Sequence, residues 1–211
     1  MFVHFLVFAL AVTSAVADHH KVTCNNVTPS SPASLSALSG GWVGVETVRF
    51  KDGHAFIPDN DITPTACLHG KAYETTETGL KVEIETNIPD RDVTKEQLTL
   101  HVIGDEKGRL SAVSSLHDRE NWEFVVLDSD PEKHLVYMLC QPPNSDGERL
   151  PFRINLLGRH TASSDHSALS AEELSALETK VGTQLGLTGT GIKPVKLTNS
   201  CWAHYGEHHH H

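Results

Sequence analysis

The side chains that could do chemistry in this 211-residue chain are four cysteines, fifteen histidines and scattered carboxylates. Their spacing removes most of the options. Cys24, Cys67, Cys140 and Cys201 lie far apart and form no CxxC pair, whereas a zinc site would want short ligand spacings. In an oxidising compartment they read as two disulfides, and four cysteines allow three pairings. His54, in a long loop, and His117 and His134, near strand ends, are isolated and are given no metal or haem role. His19-His20 and the terminal His208 to His211 could bind a metal loosely, but the tail is read as an affinity-tag remnant and set aside. No GxSxG, HExxH, P-loop or dinucleotide fingerprint occurs, so no catalytic residue and no enzymatic activity are expected.

The amino terminus supplies the oxidising compartment. Met1 to Ala17 is almost wholly apolar and ends in Ala15-Val16-Ala17, the small-x-small pattern of a signal peptide cleaved before Asp18. The run is short for a bilayer span and no later segment approaches one, so a secreted, extracellular protein without membrane insertion is expected. Asn26-Val27-Thr28 is an acceptor sequon that makes Asn26 a candidate glycosylation site. The net charge of −10, without a basic cluster interleaved with aromatics, disfavours nucleic acid. About 190 residues, 18–207 before the tail, suffice for one domain with a real core.

These residues need a scaffold, and the pattern for one runs from Trp42 to Gly158. Eight runs rich in Val, Ile, Thr, Leu and aromatics fall near 42–50, 65–75, 79–87, 95–103, 109–117, 120–128, 134–141 and 150–158, separated by Gly, Pro, Asp and Asn. Leu80, Val82 and Ile84 alternate with Lys81, Glu83 and Glu85, and Leu98, Leu100 and Val102 with Thr99 and His101, so each strand has one dry face. The first connection, 51–64, is long enough to act as a lid. Ser170 to Glu173 forms a capping box, and Leu174, Leu177, Val181 and Leu185 follow at helical spacing, which predicts one helix over 171–185 laid outside the sheet. Eight sequential antiparallel strands with short turns predict an all-β, up-and-down barrel with room for one small ligand. A sandwich would need Greek-key crossovers that these turns do not favour.

Three blocks recur in order around this pattern. Gly40-Gly41-Trp42 opens the first strand, Leu127-Asp128-Ser129-Asp130 marks the turn between the sixth and seventh, and Leu156-Leu157-Gly158-Arg159 ends the eighth. Together they resemble the conserved blocks of the lipocalin family across nearly all of the mature chain. The resemblance implies structural roles: Gly40 in the entry, Trp42 plugging the closed end, Arg159 lying across its indole, and Asp130 in the turn. The middle block departs from the family's Thr-Asp-Tyr, here Ser129-Asp130-Pro131, so the tyrosine contact is lost.

The four-cysteine lipocalin plan, shared with nitrophorins and other invertebrate members, implies Cys24–Cys140 and Cys67–Cys201. Each bridge would close a loop of more than a hundred residues, an upper value of about 4–5 kcal/mol. With Cys67 and Cys140 outward, Leu68, Gly70 and Ala72, and Leu135, Tyr137 and Leu139, face inward, and alternation adds Val82, Ile84, Leu98, Leu100, Val102, Phe152 and Ile154. This aliphatic cup, with Tyr137 as a polar contact, suits a lipid, sterol, retinoid, carotenoid-like molecule or pigment. If the first strand alternates without interruption, Glu46 shares the inner face with Trp42, Gly44 and Val48 and needs a partner such as Arg153, a ligand amine or a proton. A bulge would instead turn it to water. Haem is disfavoured, because where nitrophorins carry their ligand histidine this chain has Glu83 and Glu85. The prostaglandin D synthase members need a free barrel cysteine, and none is expected here. The expected function is carriage or sequestration of an apolar small molecule. Loop-mediated binding of a protein at the barrel mouth, over a vestigial cavity, and biogenic-amine scavenging through Glu46 are the alternatives.

Overall fold

A computed structural model describes residues 20–57, 66–88, 91–116, 121–161, 164–167, 169–187 and 191–197. The expected signal peptide, the second half of the expected lid, His117, Cys201 and the histidine tail lie outside these residues. The period-two runs become β1 (Gly40–Lys51), β3 (Cys67–Tyr73), β4 (Gly79–Asn87), β5 (Thr94–Ile103), β6 (Glu106–Ser114), β7 (Trp122–Asp130), β8 (His134–Cys140) and β9 (Pro151–Thr161). Three shorter strands, β2 (His54–Phe56), β10 (Ser164–Ser167) and β11 (Val195–Lys196), were below the length at which periodicity shows.

Each strand from β3 to β9 pairs antiparallel with the next, and β9 returns to β1 from Trp42↔Arg159 to Arg49↔Arg153, closing an eight-stranded barrel. Closure leaves no unpaired edge among the eight. One edge of β1 belongs to β9. The other is shared: β3 pairs only with Gly40 to Val43, β11 takes over at Glu46 and Thr47, and β2 at Arg49 to Lys51. The carboxy-terminal segment is thus a stitch in the barrel wall, held further by Leu197 N–H donating to Val45 O (2.9 Å).

Alternation divides the apolar residues into two cores. Inside the barrel, Trp42, Leu68, Ala72, Leu80, Val82, Ile84, Leu98, Leu100, Leu110, Phe124, Tyr137, Leu139 and Leu157 pack together. Outside, Val48, Phe50, Val125, Leu127, Val136, Met138, Ile154 and Leu156 pack beneath Val22, Cys24 and Val27 of the amino-terminal arm and Leu177, Val181 and Leu185 of helix α1 (Ala171–Gln184). The helix begins where the capping box is formed, with Glu173 N–H donating to Ser170 Oγ (3.2 Å) and Ser170 N–H to Glu173 Oε2 (2.9 Å). Lys133 adds an ion pair to Glu173, whose carboxyl it holds down at about 2.

Cys24 is bonded to Cys140, which pins the arm to β8, as the resemblance implied. Cys67 is fully buried and also disulfide-bonded; its expected partner, Cys201, lies outside the described residues. Asn26 is exposed in a 3-10 turn, Cys24–Asn26.

Candidate functional site

The strand directions give the barrel a floor and a mouth. At the floor, the 3-10 turn Leu35–Leu38 pushes Leu35 and Leu38 into the inner core, and Trp42 Nε1 donates to Leu38 O (3.0 Å). Arg159 lies over the Trp42 ring, its Cζ 3.8 Å from the ring centre. Its guanidinium also donates to Ser39 O (2.7 Å), Ala37 O (3.3 Å) and Pro131 O (2.7 Å). One side chain therefore ties the turn, the floor and the β7–β8 connection together. The proline of the altered middle block does not interrupt this, because the accepting group is a main-chain carbonyl. Asp130 Oδ1 accepts from Glu132 N–H (2.9 Å) in the same connection. Gly40 has φ +106°, and a methyl there would lie 3.0 Å from Arg159 Nη1. Only glycine fits both demands.

Above the floor the barrel is filled by its own side chains. Leu98, Leu100 and Leu139 are fully buried, and Tyr137 stacks on Phe124 with ring centres 4.3 Å apart. Leu68, Val82, Ile84 and Trp122 keep slight exposure. A polar layer follows. Thr47 Oγ1 donates to Asn155 Oδ1 (2.9 Å), and Asn155 Nδ2 to Tyr137 Oη (2.6 Å), all three side chains buried. Burial pushes the Tyr137 phenol above its ordinary pKa, so it is neutral and an acceptor here.

Nearest the mouth, Arg153 is ion-paired with Glu96, whose second oxygen accepts from Ser114 Oγ (2.8 Å). Glu96 is only 3% exposed. Phe152 meets Trp122 edge-on, with ring centres 5.4 Å apart, and Arg49 lies over the Phe152 ring at 4.4 Å. Arg153 Nε finds no hydrogen-bond partner among the described residues. Among the described residues, the guanidinium groups of Arg49 and Arg153 and the carboxylate of Glu96 gather at the mouth. Ile57, Val93 and Leu116 stand at the same end, 62%, 38% and 46% exposed.

The expected inner residues Leu68, Ala72, Val82, Ile84, Leu98, Leu100, Tyr137 and Leu139 meet in the barrel, and Val102 and Phe152 pack against them. Ile154 and Glu46 do not. Arg159 over Trp42 sets the parity of β9, which turns Leu157, Asn155 and Arg153 inward and Ile154 into the outer core. Glu46 is displaced by a bulge: Gly44 pairs with Leu157 and Glu46 with the next residue, Leu156, so Val45 is extra. After it Thr47 and Arg49 point inward and Glu46 and Val48 outward, against the expected shared inner face. The bulge does not deliver Glu46 to water either. Helix α1 covers it, leaving 3% exposed among Val48, Val136, Leu177 and Val181. Burial, then its hydrogen bond with Glu178, raises the Glu46 pKa to about 8, against the attraction of Lys196. Arg153, its suggested partner, serves Glu96 instead.

The residues missed at the mouth were readable in part. Counting back from Leu98 by two reaches Glu96, and back from Arg159 reaches Asn155 and Arg153. His134 pairs with Asp128 (3.3 Å) near the floor, and His54 sits in β2. Among the described residues no group of three or more His, Cys, Asp or Glu is arranged around a metal position, and no helix is long and apolar enough to cross a membrane.

No family model matches the chain, and no curated protein matches it in sequence. Solved structures do match it. Apocrustacyanin C2 superposes with a TM-score of 0.54 at 14% identity, over 87% of this chain and 96% of that one. Lobster apocrustacyanin A1 gives 0.52 at 13% identity, over 82% and 91%. This chain has a lipocalin fold. A third lipocalin, the siderocalin Ex-FABP, described as working through dual ligand specificities, gives 0.50 at 17% identity over 76% and 89%. At these identities the likeness establishes the fold of this chain, and its chemistry must be argued from its own side chains.

Proposed function

We propose that this lipocalin-fold protein is a secreted carrier or scavenger of a small, largely apolar molecule. The observation that carries the reading is the layered barrel interior, with a closed floor, an aliphatic wall, a polar layer of Thr47, Asn155 and Tyr137, and the Arg153–Glu96 pair at the mouth. Removing apolar ligand area from water supplies about 25 cal/mol per Å², and a few polar contacts orient the molecule. Because the lower barrel is packed, the ligand sits toward the mouth, against Leu68, Ile84, Trp122 and Phe152. Its polar end lies near Arg153 and Arg49, which favours a neutral or anionic head over an amine. Secretion rests on Met1 to Ala17 and on the disulfides.

The test is titration of the protein with a fatty acid, a retinoid, a sterol and a carotenoid, read by quenching of tryptophan fluorescence, beside denaturing mass spectrometry of protein from its native source. Saturable uptake of one class, or a co-purified small molecule, supports the reading. Failure of all four together with an empty native protein overturns it.

A second reading, a protein-binding module, is favoured by the exposed Ile57, Val93 and Leu116 around the mouth. Charge substitutions at these three that abolish a protein partner and leave small-molecule uptake unchanged would select it.

A further inference from the structure

His69 of β3 and His160 of β9 stand on the outer wall near the floor, one on each side of β1. Between them the β1 residue is Gly41. A methyl built on Gly41 would lie 3.8 Å from His69 Nε2 and 3.9 Å from His160 Nδ1, so one nitrogen of each ring is turned toward the same point. The rings are 5.6 Å apart at their centres and inclined at 78°. A metal held at about 2.0–2.1 Å by an imidazole nitrogen lies about 3 Å from that ring's centre, so two imidazoles on one ion have centres about 5–6 Å apart. The observed pair has that spacing without any movement of the strands.

We propose that His69 Nε2 and His160 Nδ1 form a two-imidazole site for a divalent late first-row cation, Zn2+ or Cu2+, over the floor of Gly41. Imidazole suits these ions, and copper binds more tightly than zinc at a nitrogen site. Only the neutral ring is a ligand. Glu85, directly opposite His69 in the β3–β4 pair, is placed to orient the ring from behind, the usual supporting partner of a metal-bound histidine. Lys71 and Glu83 are the other charges that act on His69, and Lys95 pairs with Glu85 (3.0 Å). Water or a carboxylate from outside completes the coordination. Because the two ligands come from strands 91 positions apart in the chain, they are brought together only by folding.

That last feature supplies a test that the histidine-rich termini do not confuse. His19-His20 and His208 to His211 are contiguous in sequence and chelate folded and unfolded chains alike, so they add little to a melting temperature. Zn2+ about tenfold above its dissociation constant should raise the Tm of the full chain by roughly 3–6 °C through the native pair. The rise should vanish in His69→Ala, in His160→Ala and in Gly41→Val, which fills the cradle and leaves both imidazoles. Histidine side-chain NMR of the unaltered chain should show Zn2+ moving His69 Nε2 and His160 Nδ1, whatever the variants do to folding. A rise that persists in the double alanine variant, or Zn2+ that leaves these two nitrogens unmoved, overturns the site.

Discussion

Buried Glu46 on the barrel wall faces partly exposed Glu178 on the covering helix, and Lys196 Nζ stands 3.5 Å from the first carboxylate and 3.6 Å from the second. Three elements, β1, α1 and β11, converge there. One lysine cannot neutralise two carboxylates, so the site holds a proton at neutral pH, in agreement with a Glu46 pKa of about 8.

Stability should therefore fall as pH rises. Glu46 binds its proton more tightly in the folded chain than in the unfolded one, where the group titrates near 4.5. The folded state carries the extra proton between about pH 4.5 and 8, and stability declines across that window by on the order of 3 kcal/mol. Urea denaturation at pH 5, 6.5 and 8 measures it. Glu46→Gln should flatten the slope and raise stability at pH 8; a slope unchanged by that substitution would locate the proton elsewhere.

Deleting Val45 should keep the faces of the residues that follow it. Val45→Ala trims one partly buried side chain, and deletion removes only the extra residue of the bulge, so Glu46 stays opposite Leu156 on the outer face and Thr47 opposite Asn155 on the inner one. Thermal melts should show both variants folding cooperatively; loss of the transition on deletion would show that the barrel needs the bulge itself, with the bond from Leu197 to Val45 O.

Arg159→Lys should lose most of what Arg159→Ala loses, about 2–4 kcal/mol, because an ammonium cannot span three carbonyls while stacking on Trp42. Guanidinium denaturation with near-ultraviolet circular dichroism of the tryptophans is the measurement. A lysine variant as stable as the parent would show that only charge matters there.

Glu96→Gln and Arg153→Met each leave one buried charge without its partner and should cost about 3–5 kcal/mol, while the double variant recovers most of the loss. If the mouth orients an anionic head, Arg153→Met should also weaken fatty-acid uptake more than sterol uptake. Equal weakening of both would remove Arg153 from recognition.

The elements were legible because their causes are local. Strand phase, turn residues and the Ser170 capping box act within a few residues, and all eight barrel strands and the helix lie close to where those patterns end. The interior was legible wherever one anchor set the parity: Cys67 and Cys140 outward correctly turned Leu68, Tyr137 and Leu139 inward. On β9 the decisive anchor was Arg159, six residues from Arg153, and counting from it gives the inner face that Ile154 does not share. The bulge at Val45 left no local trace, since valine is an ordinary strand residue and the partner that explains Glu46 is 132 positions away on the helix. His69 and His160 were equally silent, because nothing near either one indicates that Gly41 will leave a space between them.

The stitch made by Val195 to Leu197 has a consequence for how the molecule is made. β1 is among the first strands to leave the ribosome and finds β2 and β3 soon after, yet its other partners arrive late: β9 more than a hundred residues on, and then β11 beside Glu46 and Thr47. The nascent chain must therefore carry β1 with the edge that β9 will take bare through most of its synthesis, a slow, long-range closure of the kind that invites aggregation. Hairpins from β4 to β8 can assemble on the way out, but the ring closes only when β9 reaches β1, and its seam is stitched only by the final segment of the described chain. Production of this protein should accordingly be limited by the interval between the first strand's emergence and the last one's docking.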